Sequence, residues 1–362
     1  MTALRRSPLV PIIALVAVLL SGCTATSADG SSEAAAGPRL ADVTPLPDPG
    51  SWEGPTTAVA PPSAVDPITE GAQQLPVTIT DRQGTVVEVD DTSRILALDI
   101  YGSLSRTVFE LGFGDQVVGR DVSSGFDEIA DRPLVTQNGH DLNAEAILEL
   151  APTLIITDTS LGPWDTVLQM RDAGVDVVVV DSHRSIEGIG SLVGDVAAAL
   201  GVPERGTTLA ERIASSVEDT ISRLAEIAPS GDDRLRMVFL YVRGQSGVYY
   251  MFGEESGADA LVTALGGVDV SAEIGWSGMR PLTDEGLVAA DPDLVLVMTG
   301  GLESVDGVDG LLEAVPALQQ TPAGEHRRVV DMDDSQILSF GPDTARVLEA
   351  LAVAVYAPDA VG

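Results

Sequence analysis

Residues 143–157 read NAEAILELAPTLIIT, and residues 283–297 read TDEGLVAADPDLVLV. The two segments correspond at a constant offset of 140: Asn143 with Thr283, Glu145 with Glu285, Ile147 with Leu287, Pro152 with Pro292 and Leu154 with Leu294. Each opens on a residue whose side-chain oxygen suits a helix N-cap, carries a glutamate in the first turn, and breaks at a proline before a β-rich run. The pattern predicts a short helix followed by a buried strand, twice. The same offset reaches upstream, where RILALDIY (94–101) lines up with RLRMVFLY (234–241), two apolar strands that end in a tyrosine. A repeat this long is not a solenoid period, and it predicts two similar lobes. Further strands are expected at 175–180 and 328–332. Strands alternating with helices imply mostly parallel sheets. Between the halves, Leu209, Ile213, Val217, Ile221, Leu224 and Ile227 recur at spacings of three and four. That is one apolar stripe on a helix of about 24 residues, roughly 36 Å long. The expected fold class is α/β: two similar Rossmann-like lobes joined by a long helix, with a ligand cleft between them.

The amino-terminal end reads as an export signal. Arg5 and Arg6 precede an apolar run at 9–20 that is too short for an ordinary membrane span. The run ends in Leu20-Ser21-Gly22-Cys23, which resembles the lipobox of bacterial lipoproteins. That resemblance implies cleavage before Cys23, lipidation of its thiol, and a protein exported to the outer face of the cytoplasmic membrane and held there. Cys23 is the single cysteine, so no intrachain disulfide is available. Residues beyond it are rich in Ala, Pro, Ser, Gly and Thr without an apolar period, and a flexible tether is expected. The expected organisation is a signal peptide over 1–22, a lipidated cysteine and disordered tether over 23–74, an N-terminal lobe over 75–202, a connecting helix over 203–231 and a C-terminal lobe over 232–358.

Net charge is −35, and every one of the twenty basic residues is arginine. Nucleic acid is not an expected partner, because no basic patch is available to neutralise phosphates. A P-loop is excluded by the lack of lysine, as is Schiff-base chemistry. No G-x-S-x-G elbow occurs, and GFGDQVVG and GIGSLVG miss the dinucleotide spacing. A binding protein is expected rather than an enzyme.

Ligands of open parallel α/β sheets bind outside the carboxyl ends of the strands, so residues after strands and before helices carry the information. His140 precedes the capping residue Asn143, and its counterpart at the offset is Arg280. Tyr241 ends a strand, with Arg243 two residues on and therefore on the same face. A guanidinium beside a phenol favours the phenolate, a good ligand for ferric iron, and neutral imidazole is another. A histidine and an arginine-supported tyrosine on opposite walls would suit the two axial positions of a haem. Taken singly, His140 also reads as a surface loop histidine and Tyr241 as a strand-end core tyrosine. Trp276, Met279 and Arg280 fall in the loop before the second-lobe helix, where they would touch a porphyrin or simply pack. Tyr101 is a further candidate. His183 and His326 are not at ligand spacing with His140.

The phrases RILALDIYGSLSRTVFELGFGDQVVGRD and AEAILELAPTLIITD, with the lipobox, the paired lobes and the long helix, resemble the helical-backbone class of substrate-binding lipoproteins of ABC importers for siderophores, cobalamin and haem. The resemblance covers most of residues 94–358. QNGHDLNAE and LYVRG are similar to the haem-uptake branch of Gram-positive actinobacteria. It implies His140 and Tyr241 as ligands of haem iron, Arg243 as support for the tyrosine, haem as cargo, and an ABC permease with its ATPase as partners of a monomer. A haem-donor protein is a further possible partner. A ferric siderophore or cobalamin is the alternative ligand. Relatives dock on the permease through acidic residues, for which Glu110, Glu255 and Asp259 are the candidates here, although Arg106 stands where the first lobe's acid is expected.

Overall fold

The run Ile95–Leu98 is buried at all four positions, as a strand covered on both faces must be. It pairs in parallel with Leu154–Thr157, which pairs in parallel with Asp176–Val179. The second lobe repeats this arrangement: Arg236–Arg243, Leu294–Met298 and Val329–Met332 follow one another in the same order and direction. The computed structural model describes residues 37–361, so the signal segment and Cys23 lie outside the described residues. The C-terminal sheet is the larger and is mixed, because Val248–Phe252 and Met279–Pro281 add an antiparallel pair beside Arg236–Arg243.

Both repeat helices start where the capping residues predict. The Asn143 side chain accepts from the amides of Glu145 and Ala146 ahead of Ala144–Glu149, and Thr283 accepts from Gly286 ahead of Asp284–Ala290. In the first strands the offset slips. Ile95 pairs with Leu154, whereas Met237 pairs with Leu294, so the structural equivalent of residue 95 is 237 rather than 235. A slip of two keeps every side chain on its face, but Tyr101 is consequently not the positional twin of Tyr241.

The connecting helix runs over Pro203–Ile227 and buries Leu209, Ile213, Val217 and Leu224. It packs on Ile189–Ala199 of the first lobe and on Thr344–Tyr356 of the second, so one apolar stripe serves both. No described helix is long and apolar enough to cross a membrane.

The largest departure from expectation is the stretch taken for tether. From residue 37 it runs along the C-terminal lobe. Leu40 is buried and its amide donates to Glu349, while Thr56–Ala58 forms the parallel edge strand beside Val330–Met332. It then passes to the first lobe. Arg106 donates to the Ser63 and Ala64 carbonyls, Arg346 to that of Pro61 and Arg205 to that of Gly71. Order here comes from backbone groups satisfied one at a time by distant arginines and a sheet edge. Such order leaves no apolar period in the sequence.

Candidate ligand-binding site

At the end of the Arg236–Arg243 strand, half-buried Tyr241 and Arg243 flank fully buried Val242, so the two share a face. Tyr241 stacks on Phe252 of the neighbouring strand with centroids 6.1 Å apart, and Phe252 stacks on Phe239 at 5.0 Å. The Arg243 guanidinium lies over the Tyr241 ring, 4.6 Å from its centroid. Its Nη1 donates to the Val242 carbonyl at 2.9 Å and its Nη2 to Asp334 at 2.8 Å. The aromatic row sets the tyrosine in place, and the cation covers it.

His140 comes from the other lobe. It is the last residue of a three-residue turn between Thr136–Gln137 and Asp141–Leu142, where Asn138 and Gly139 have φ of 50° and 92°. Glycine suits the second of these because a Cβ is disfavoured there. The hairpin is fastened below by the Asn143 amide, which donates to the Val135 carbonyl at 2.9 Å. His140 is half-buried, and its Nδ1 is shielded from solvent without a hydrogen-bond partner. Burial, followed by the Arg243 charge, pushes its pKa below the ordinary imidazole value, with Asp334 and Asp141 opposing. Arg243 and Asp334, at the strand ends of the second lobe, both act on the His140 charge. A neutral imidazole with an unsatisfied ring nitrogen is suited to ligate a metal. Replacing Asn143 with Ala removes the cap beneath this turn and is expected to cost about 1 kcal/mol. A thermal melt would read this as a drop of roughly 1–2 °C.

The other predicted contacts separate. Directly paired residues share a face of a sheet. Met279 pairs with Phe252 and so lies on the Tyr241 side, exposed, whereas Arg280 pairs with Met251 and lies on the opposite face. Both sit on an edge strand, not in a loop. Trp276 donates its indole N–H to the Met251 carbonyl, packs against the core beneath that opposite face, and carries the Arg280 guanidinium 4.8 Å from its ring. Trp276 and Arg280 are thus a structural pair on the far face.

Tyr101 belongs to a buried cluster at the strand ends of the first lobe. Arg184 lies over its ring at 4.7 Å and donates to Asp99 at 3.0 Å and to Asp158 at 2.6 Å, all three charged side chains being sealed from solvent. Burial pushes the Tyr101 phenol up, with Arg184 only partly opposing, which keeps it a neutral phenol and a poor iron ligand. His183 is exposed and bonded to Asp181. His326 precedes the Val329–Met332 strand at the opposite end of its sheet. Among the described residues no group of three or more His, Cys, Asp or Glu side chains could hold a metal ion by itself.

Glu110 is no docking charge. It is buried, with its carboxylate bonded to Arg106 at 3.0 Å and to Arg212 of the connecting helix at 2.6 Å. Arg106 also reaches Asp343 at the start of the last helix, 3.6 Å away, and so bridges the lobes. The Asp259 carboxylate is used locally, accepting from the amides of Glu255 and Gly257, whereas Glu255 is exposed.

A family model for the periplasmic binding proteins matches residues 100–336. The chain belongs to that family. Among solved periplasmic binding proteins, the haem-binding protein HmuT is 43% identical to this one and superposes with a TM-score of 0.80, covering 85% of this chain and 99% of that one. HmuT has also been solved with single alanine replacements of a histidine, of a tyrosine and of the arginine two positions after that tyrosine. The periplasmic haem-binding protein RhuT of Roseiflexus sp. RS-1 is 37% identical, with a TM-score of 0.65, over 75% of this chain and 100% of that one. An uncharacterised ABC transporter substrate-binding lipoprotein of Bacillus subtilis (strain 168), YvrC, is 25% identical over 289 residues, 78% of this periplasmic binding protein and 86% of that one.

Proposed function

We propose that this periplasmic binding protein captures ferric haem between its lobes, with His140 and Tyr241 as the axial ligands, and delivers it to an ABC permease. The observation that carries this reading is a tyrosine stacked from below and covered by a guanidinium, with a half-buried imidazole of the other lobe whose Nδ1 has no partner. The Tyr241–Arg243 spacing is that of the tyrosine and arginine replaced in HmuT. An anionic siderophore would call for several free arginines. Here Arg243 is tied to Asp334 and Arg280 lies on the far face. Met279 on the Tyr241 face would offer apolar contact to a porphyrin. In this reading Cys23 carries the lipid that holds the protein, a monomer, at the outer face of the membrane, and exposed Glu255 takes part in docking on the permease.

The test is a ferric-haem titration of residues 24–362 followed by absorbance. A saturable one-to-one Soret change is expected. No saturable change would overturn the haem reading and return the question to siderophores and cobalamin.

A further inference from the structure

Arg243 is held at more points than a guanidinium stacked on a ring requires. Asp334 stands just past the Val329–Met332 strand, and its Oδ2 accepts from Arg243 Nη2 at 2.8 Å. Its Oδ1 accepts from the Gly300 amide, also at 2.8 Å. Gly300 allows this approach, since a Cβ there would lie 3.0 and 3.1 Å from the two carboxylate oxygens. With side chains 29% and 36% exposed, the ion pair is too wet to add much stability. Its consequence is geometric: both bonded N–H groups of Arg243 are directed to Val242 and Asp334, which leaves the guanidinium over the Tyr241 ring.

We infer that Asp334 is a positioning residue of the ligand site: by fixing the Arg243 guanidinium over the Tyr241 ring, it sets where positive charge meets the ligating phenol. The inference rests on the haem reading above, and Asp334, whose charge also reaches His140, acts on the tyrosine through Arg243.

The experiment compares ferric-haem affinity and visible absorption bands for the wild type, Asp334→Ala, Arg243→Ala and the double variant. Partners that orient a metal-ligating side chain typically alter affinity by 10- to 100-fold, so Asp334→Ala is expected to weaken binding about tenfold. It should also move the bands in the direction that Arg243→Ala moves them. Added to Arg243→Ala, it should change affinity by less than about twofold, because the residue it acts through is already gone. Gly300→Ala presses a methyl on the carboxylate without removing it, and should shift the bands the same way even if Asp334→Ala folds poorly. Wild-type bands in both the Asp334→Ala and Gly300→Ala proteins, or losses that simply add in the double variant, would overturn the positioning role alone. A wild type without a saturable haem change would bring down the haem reading and this inference with it.

Discussion

Tyr241→Ala is expected to lower affinity for ferric haem by roughly a hundredfold or more, and His140→Ala by about tenfold or more, since loss of even an outer-shell partner of a metal ligand costs about 10- to 100-fold. The order follows from how each ligand is held. Tyr241 sits on a strand inside a three-ring aromatic row, with a cation over its face, so its oxygen is in place before iron arrives. A phenolate is also the harder, charged ligand, suited to ferric iron. His140 sits on the tip of a two-stranded hairpin whose strands are two residues each, and such a pair is marginal without support. Part of what His140 gains by ligation is thus offset by ordering its turn. Packing and ligation separate in Tyr241→Phe, which keeps the stack on Phe252 and loses only the oxygen. Equal losses for Phe and Ala at 241, read by Soret titration, are the expected result. Retention of wild-type affinity by Tyr241→Phe would remove the phenol as a ligand.

The sequence and the structure agree where order is periodic. The capped helices, the strands behind them and the connecting helix all bury a face at a fixed spacing, and a face leaves a pattern. What stayed hidden was order made by single long-range bonds. The stretch from 37 to 74 is fastened by Arg106, Arg205 and Arg346, more than 30 residues away in every case, and nothing near Ser63 or Pro61 signals it. Asp334, in the acidic run MDDS, gave no sign of facing Arg243, because contact across 91 residues depends on the strand order. Face assignment within an edge strand was also hidden. Met279 and Arg280 are neighbours in sequence, and only the antiparallel register sends them to opposite sides. Glu110 shows the reverse failure: an acid offered for docking ends the helix Ser103–Glu110, all eight residues of which are buried.

Arg184→Met is expected to destabilise the protein by about 3–5 kcal/mol at neutral pH, the cost of stranding buried charges. Methionine keeps the apolar stem and some contact with Tyr101, so the loss isolates the cation. Left behind are Asp99 and Asp158, both sealed from solvent, with Asp121 donated to by the Asp99 amide at 3.1 Å. Burial and the neighbouring Asp99 charge already push Asp121 up to about 7 and Asp158 up to about 6, with Arg184 opposing the rise at Asp158. These acids bind protons more tightly folded than unfolded. Their contribution is therefore fully present below the unfolded value near 4 and is lost as pH rises through about 6 and 7. Without Arg184 the pKa of Asp158 climbs further, so the deficit of the variant grows with pH and shrinks on acidification. Thermal melts at pH 5 and pH 7.5 measure this directly. A drop of roughly 4–7 °C at the higher pH, and a clearly smaller one at the lower, is the expected pair. Equal drops at both would mean that Arg184 acts by packing on Tyr101 and that its charge is incidental.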